Sequence, residues 1–182
     1  MRIGIFAAEQ QEIENIQQSL QGMKTERAGL LFYEAEHGTH TVISVCGGIG
    51  KVNAAVCTQI LISEFHVDVL INTGTAGGLN DSLRVFDLVV STDAVQHDVD
   101  VCPFGYSKGQ LPGTSSPFWK ADDKLRAAMM NTFTQLKADY ADDFQNTNTM
   151  IAGRIASGDR FIVDPVVKQD IITTFNADCV EM

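Results

Sequence analysis

Three glycine-containing turns, each placed after a short apolar run, constrain the fold of this chain more than any other feature. Their sequences are GGIGK at residues 47–51, GTAGG at 74–78 and SGDRF at 157–161. In open α/β sheets, strands end at a common carboxyl edge, and ligands bind in the crevice that forms there. The recurrence therefore predicts an α/β fold with a ligand site built from these turns.

Apolar runs of strand length alternate with segments of helical period along the chain. The predicted strands are 3–8, 30–37, 39–45, 67–72, 86–92, 150–157 and 177–182, and the predicted helices are 9–20, 51–66, 121–137 and 165–175. This alternation predicts a three-layer α-β-α sandwich with a central mixed sheet. We expect a single domain over residues 1–182. Residues 97–120 match neither pattern, which is typical of a functional loop.

The charge of the chain disfavours several classes of partner. Thirteen basic residues against 23 acidic ones give a formal net charge of −10. Nucleic acids and anionic membranes both require a basic surface, so we expect neither as a partner. No apolar run approaches the roughly 20 residues that span a bilayer, and the first residues match a core strand rather than a signal peptide. The expectation is a cytoplasmic protein that binds a small molecule.

The cysteine and histidine residues do not predict a metal site. Four cysteines are scattered along the chain without a C-x-x-C pair: Cys46, Cys57, Cys102 and Cys179. We expect them to be buried free thiols. Four histidines likewise lack the close spacing of zinc ligands: His37, His40, His66 and His97.

Residue type alone does not decide which of the candidate residues bind a ligand and which only form turns, caps or a solvated surface. Thr75 places a hydroxyl at the end of a predicted buried strand, and the neighbouring glycine turns favour a ligand role over simple turn capping. The turn at 47–51 lacks the P-loop pattern and fits a tight turn and a ligand cradle equally well. Glu12 follows Glu9 by three residues on a glutamine-rich helix, a pattern more typical of a solvated face. Three aspartates fit turn or cap positions: Asp98, Asp100 and Asp159.

Several longer motifs occur in order along the whole chain. They are MRIGI with Glu9 and Glu12, GIGKVNAA at 48–55, INTGTAGGL at 71–79, HDVD at 97–100, FGY at 104–106, GQLPG at 109–113, SGDRFI at 157–162 and VEM at 180–182. Together they resemble the 5′-methylthioadenosine/S-adenosylhomocysteine nucleosidase family, within the purine nucleoside phosphorylase superfamily. No single motif is specific, but the ordered set is.

The resemblance implies a role for each matching residue. Glu12 would activate the water that attacks the anomeric carbon of the ribose, a step for which a carboxylate is chemically suited. The residues implied to bind the substrate are Ile49, Thr75, Val101, Phe161, Ile162, Glu181 and Met182. Among them, Phe161 would stack on adenine and the Ile162 backbone would hydrogen-bond to its edge. A loop implied to reach the site of the partner subunit contains Phe104, Tyr106 and Pro112.

The same resemblance implies a homodimer that acts on adenine nucleosides in methionine salvage, with no metal or organic cofactor. Thr75 stands where serine is commoner in the family, which keeps the hydroxyl and adds a methyl group. The family's ribose-binding glutamate, and the aspartate that assists protonation of adenine, lie beyond Met182. We therefore expect this chain to be a C-terminally incomplete copy of the enzyme.

Two other functions fit the same motifs. A purine nucleoside phosphorylase would need cationic groups to bind phosphate. In phosphorylases of this fold an arginine precedes the second glycine turn by two positions, where this chain has Asn72. An inactive nucleoside-binding remnant would follow from the missing acid. Hydrolysis of the N-glycosidic bond with release of adenine is the function that the sequence favours.

Overall fold

The computed structural model describes residues 1–140 and 148–182. The chain divides into two compact units, residues 1–75 and residues 76–182. The expectation of one domain over the whole chain stays a prediction. None of the helices in the described ranges has the length and apolar character needed to cross a bilayer.

The first unit is built on a five-stranded mixed sheet. Its strands, in spatial order, are β2 (Met23–Arg27), β3 (Leu30–His37), β4 (His40–Cys46), β1 (Arg2–Ala7) and β5 (Val69–Asn72). Its helices are α1 (Gln10–Leu20) and α2 (Lys51–Ser63). The strands β2, β3 and β4 form an antiparallel meander, whereas β4, β1 and β5 run parallel.

The three parallel strands end at the same edge of this sheet. Just past β4, the Gly47 N–H donates to the Ala7 carbonyl at 2.8 Å. Just past β5, the Thr73 N–H donates to the Phe6 carbonyl at 3.0 Å. The start of α1 and the turns that follow β4 and β5 therefore lie beside one another.

Both faces of the first sheet are covered by helices. On one face, α2 and the strands enclose an apolar core that contains Phe32, Ile43, Val45, Cys57, Ile60, Leu61 and Phe65. The rings of Phe32 and Phe65 stack with their centroids 4.6 Å apart. Helix α1 contacts β1, β3 and β4 and buries Ile13 outside that core. In β4, Ile43 and Val45 belong to this core, so the alternate residues Val42 and Ser44 point to the opposite face. Helix α1 covers that second face.

The second unit contains another five-stranded mixed sheet. Its strands, in spatial order, are β6 (Gly77–Gly78), β10 (Cys179–Glu181), β9 (Met150–Ser157), β7 (Leu88–Gln96) and β8 (Phe118–Lys120). Its helices are α3 (Asp123–Asp139) and α4 (Pro165–Phe175). The central strands β10, β9 and β7 are parallel, and the two edge strands are antiparallel to their neighbours. Its core contains Leu79, Val95, Ala156, Ile171, Phe175, Ala177 and Val180.

The predicted α/β class with mixed sheets and flanking helices is confirmed. The strands predicted at 30–37 and 150–157 and the helix predicted at 165–175 occur with the same bounds. Strand β7 starts later and ends later than the predicted 86–92. Strands β2, β6 and β8 were not predicted, because each is short or lacks alternating apolar residues.

Some expectations about side-chain burial are wrong. Cys57 and Cys179 are buried, and burial raises the pKa of their thiols to about 11 and about 12. Cys46 is only half-buried, and Cys102 is exposed because it lies in the irregular loop and not in a strand or helix core.

Candidate active site

Glu12 lies in the first turn of α1, at the sheet edge where β1 ends. Glu9 is the N-cap of this helix, and its backbone N–H donates to Glu12 Oε2 at 3.1 Å. This is the reciprocal half of a capping box, which fixes the direction of the carboxylate. The positive end of the helix dipole also favours a negative charge in this turn. Glu12 is half-buried and is therefore not part of the solvated glutamine face of α1.

Thr75 holds the other oxygen of the same carboxylate. Its backbone N–H donates to Glu12 Oε1 at 2.7 Å and its hydroxyl donates to the same atom at 2.9 Å. An ionised carboxylate only accepts hydrogen bonds and has about four lone-pair positions. Oε1 accepts two of the three donors described here and Oε2 accepts one. Oε2 thus keeps the capacity to accept a hydrogen bond from water.

Gly74 allows the turn after β5 to approach this carboxylate. A Cβ atom built on Gly74 would lie 3.0 Å from each oxygen of Glu12 and 3.1 Å from its Cδ. Such distances are shorter than normal van der Waals contact. The glycine is required at this position by close packing, since its φ is not in the left-handed region.

Ile49 lies in the turn between β4 and α2, where the backbone takes conformations that favour glycine. Gly48 has a φ of 92° and Gly50 has a φ of 96°. The Ile49 carbonyl accepts a hydrogen bond from Asn53 Nδ2 at 2.7 Å, which closes the turn onto the first turn of α2. The Ile49 side chain is 47% exposed and offers an apolar contact at this edge.

Phe161 and Ile162 lie between β9 and α4 in the second unit. The Phe161 ring is 81% exposed, whereas Ile162 packs against the core of the unit. The aspartate that follows them, Asp164, caps α4 by accepting the Val166 N–H at 2.8 Å. An exposed aromatic ring next to a fixed helix start is suited to stacking on a planar base.

Glu181 and Met182 lie at the end of β10. Glu181 pairs with Ser157, so this strand and β9 end at the same edge of the second sheet. Glu181 is half-buried and Met182 is 37% exposed. Within residues 1–140 and 148–182, no three side chains of histidine, cysteine, aspartate or glutamate form a group that could hold a metal ion.

The irregular loop after β7 is held by contacts within the loop and by an ion pair with α4. A short 3₁₀ helix at Cys102–Phe104 is preceded by Asp100, and the Cys102 N–H lowers the pKa of the Asp100 carboxyl by hydrogen bonding. Gly109 is buried with a φ of 79°, and its N–H donates to the Val99 carbonyl at 2.8 Å. Lys108 Nζ pairs with the Asp170 carboxylate of α4 at 2.6 Å.

The loop residues predicted to face the partner subunit, and Val101 in the same loop, differ in their exposure. Phe104 is 82% exposed, Pro112 is exposed, and Tyr106 and Val101 are half-buried. The Phe104 ring is therefore accessible to another surface. The loop is thus structured without burying its most apolar side chain.

Comparison with known proteins identifies the family. The model of the phosphorylase superfamily matches residues 2–182. The chain is 46% identical over 194 aligned residues to the 5′-methylthioadenosine/S-adenosylhomocysteine nucleosidase of Treponema pallidum (strain Nichols), covering 100% of this chain and 72% of that protein. The chain belongs to this nucleosidase family. A second nucleosidase of the same name, from Exiguobacterium sp., is 40% identical and is covered over 72% of its length.

A solved structure supports membership in the nucleosidase family at the level of fold. The nucleosidase of Colwellia psychrerythraea, crystallised in complex with adenine, superposes with a TM-score of 0.89 at 36% identity. The match covers 100% of this chain and 72% of that chain. The phosphorylase/nucleosidase-like fold predicted from the sequence is confirmed by this likeness.

The structure brings Glu12 and Thr75 into contact and adds Gly74, which was not singled out from the sequence. The sequence could have indicated Gly74, because it directly precedes Thr75 in a glycine turn at the end of a strand. The contact itself joins residues 63 positions apart and cannot be seen in a local pattern. Of the other predicted site residues, Ile49 lies in the first unit. The rest lie in the second unit: Val101, Phe104, Tyr106, Pro112, Phe161, Ile162, Glu181 and Met182.

Proposed function

We propose that this protein hydrolyses the N-glycosidic bond of 5′-methylthioadenosine and S-adenosylhomocysteine and releases adenine, with Glu12 as the group that activates water. The observation that carries the proposal is the Glu12 carboxylate, fixed by Thr75 and by the Glu9 N–H at the edge where the parallel strands end. Family membership supplies the reaction and substrate class. The geometry supports the choice of Glu12, because its carboxylate has a defined orientation.

The proposed reaction uses the carboxylate in two ways. As the bond between C1′ and the adenine nitrogen lengthens, positive charge develops on the ribose, and a nearby anion stabilises it. Glu12 accepts a proton from water while the water oxygen forms the new bond to C1′. The electron pair of the broken bond leaves with adenine, which takes up a proton from solvent, and Glu12 returns the proton it received to solvent. Because three donors hold Glu12, the carboxylate does not need to reorient during this step.

The remaining residue roles are part of the same proposal. Phe161 stacks on adenine and the Ile162 backbone forms hydrogen bonds with its edge. The other proposed substrate contacts are Ile49, Val101, Glu181 and Met182. A homodimer in the cytoplasm, acting in methionine salvage, completes the proposal. The ordered loop and its 82% exposed Phe104 support a loop contact with a second copy of the chain.

Dependence on phosphate separates hydrolysis from phosphorolysis. We expect adenine release from 5′-methylthioadenosine to proceed at the same rate in phosphate-free buffer and in millimolar phosphate. The reason is that a carboxylate repels a phosphate nucleophile but readily accepts a proton from water. The measurement is adenine formation followed by chromatography, with the full chain as enzyme. A rate that rises in proportion to phosphate would establish phosphorolysis and overturn the proposal.

The Thr75 hydroxyl is expected to contribute to the rate through Glu12. Thr75→Val removes the Oγ donor and keeps the backbone donor and the side-chain shape, so we expect kcat/KM to fall roughly tenfold. Thr75→Ser retains the hydroxyl and is the matched control, expected to stay near the parent value. Both are measured by initial rates of adenine release. Full activity in Thr75→Val would show that the hydroxyl is not needed, and a loss in Thr75→Ser as large as in Thr75→Val would show that the hydroxyl alone does not account for the effect.

A further inference from the structure

The hydrogen bonding between β7 and β9 continues beyond the ends of both strands. The last paired residues are Gln96 and Ser157. Past them, the His97 N–H donates to the Ser157 carbonyl at 3.0 Å. The next contact uses a side chain, because the Asp98 carboxylate accepts the Asp159 N–H at 2.9 Å. The turn that leaves β9 is therefore fixed to the end of β7 by two successive residues.

The side chain of His97 packs directly against this turn. His97 is only 6% exposed, and a Cβ atom built on Gly158 would overlap its Nε2 atom. The φ of Gly158 is not in the left-handed region, so the glycine is required by the close approach of the imidazole. A buried ring in a packed interior has little room to move aside.

The segment that follows is fixed at its other end as well. Ile162 packs against the core of the second unit, and Asp164 caps α4. Phe161, whose ring is exposed, lies between Asp159, whose N–H is bound by Asp98, and Ile162 in the core. A short segment held at both ends presents its middle residues in a defined position at low entropic cost on binding.

We propose that His97 and Asp98 are positioning residues for adenine recognition, acting through the turn at 157–159. Asp98 binds the Asp159 N–H, and the His97 ring determines how closely the Gly158 backbone approaches the end of β7. Together they place the Phe161 ring and the Ile162 backbone for the base. This inference rests on the proposed function, because it takes adenine as the ligand of that segment.

The test compares adenine affinity among three aspartate variants of the full chain. Asp98→Ala removes the acceptor, and we expect the Kd for adenine to rise roughly tenfold. Asp98→Asn keeps a carbonyl acceptor and is expected to restore most of the affinity. Asp122→Ala is the control, because it removes the same kind of contact, two backbone N–H groups at 2.8 and 2.9 Å, from the start of α3. Affinities are measured by calorimetric titration with adenine.

A second measurement needs no ligand. Amide hydrogen exchange of the peptide that covers residues 157–163 is expected to be faster in Asp98→Ala than in the parent, and unchanged in Asp122→Ala. Should Asp98→Ala fold poorly, Asp98→Leu replaces it, because leucine also lacks the acceptor but keeps the side-chain volume, and the same loss of adenine affinity is expected. Gly158→Ala probes the contact with His97 separately, and we expect it to lower adenine affinity as well. Unchanged adenine affinity and unchanged exchange in these variants would overturn the positioning role. A parent protein that binds no adenine would instead overturn the proposed function, while exchange still reports on the turn.

Discussion

Glu12→Gln is expected to lower kcat for adenine release roughly 10²–10⁴-fold while the affinity for 5′-methylthioadenosine changes little. Glutamine keeps the volume of the side chain and one carbonyl acceptor for the Thr75 donors. It cannot accept a proton from water and carries no charge to stabilise a cationic ribose. The measurement is the steady-state kcat together with an equilibrium titration of substrate on the slow variant.

The control for this variant is the neighbouring acid. Glu9→Gln removes a carboxylate three residues away but retains the backbone N–H that donates to Glu12 Oε2. Glutamine also keeps a side-chain oxygen that can accept the Glu12 backbone N–H in the capping box, so we expect kcat within about twofold of the parent. A large loss in Glu9→Gln would mean that the charge of the helix start, rather than Glu12 itself, supports the rate.

Gly74→Ala is expected to give the second largest loss, roughly 10²-fold in kcat. The added methyl group would lie 3.0 Å from both oxygens of Glu12. The carboxylate must move away or the turn must shift, and either change breaks the bonds from Thr75. A displacement of about 1 Å at a reacting group is enough for a loss of this size. The measurement is kcat for adenine release, with thermal unfolding recorded in parallel.

Gly78→Ala is the matched glycine control for this prediction. The nearest atom to a Cβ built there is Leu83 Cβ at 3.8 Å, which is an ordinary contact. We expect this variant to keep its activity and its melting temperature. If Gly74→Ala retained full activity, the close approach of the turn to Glu12 would have no catalytic consequence.

Much of the fold follows from local patterns in the sequence. The alternation of buried strands with helices gives the α/β class, and the clear bounds of α4 follow from Pro165 at its first position and Asp164 as its cap. Strand β2 shows the limit of this reasoning. Its sequence MKTER has no apolar alternation, and it forms because β3 offers a free edge for pairing. Pairing with a neighbour outweighs local propensity there.

The site could be predicted only in part. The glycine turns at strand ends located its edge, and Thr75 was identified as a hydroxyl at such an end. Glu12 required the family resemblance, because a glutamate on a glutamine-rich helix is usually solvated. The contacts of Glu12 with Thr75, and of Asp98 with Asp159, each join residues more than 60 positions apart. Tertiary structure alone creates them.

The most direct test of a water-activating Glu12 is the single-turnover rate of adenine release, measured for Glu12→Gln and Glu9→Gln side by side with excess enzyme. This measurement isolates the chemical step from product release. We predict a rate constant at least roughly 100-fold lower for Glu12→Gln than for Glu9→Gln. Equal rate constants for the two variants would contradict the assignment of the base.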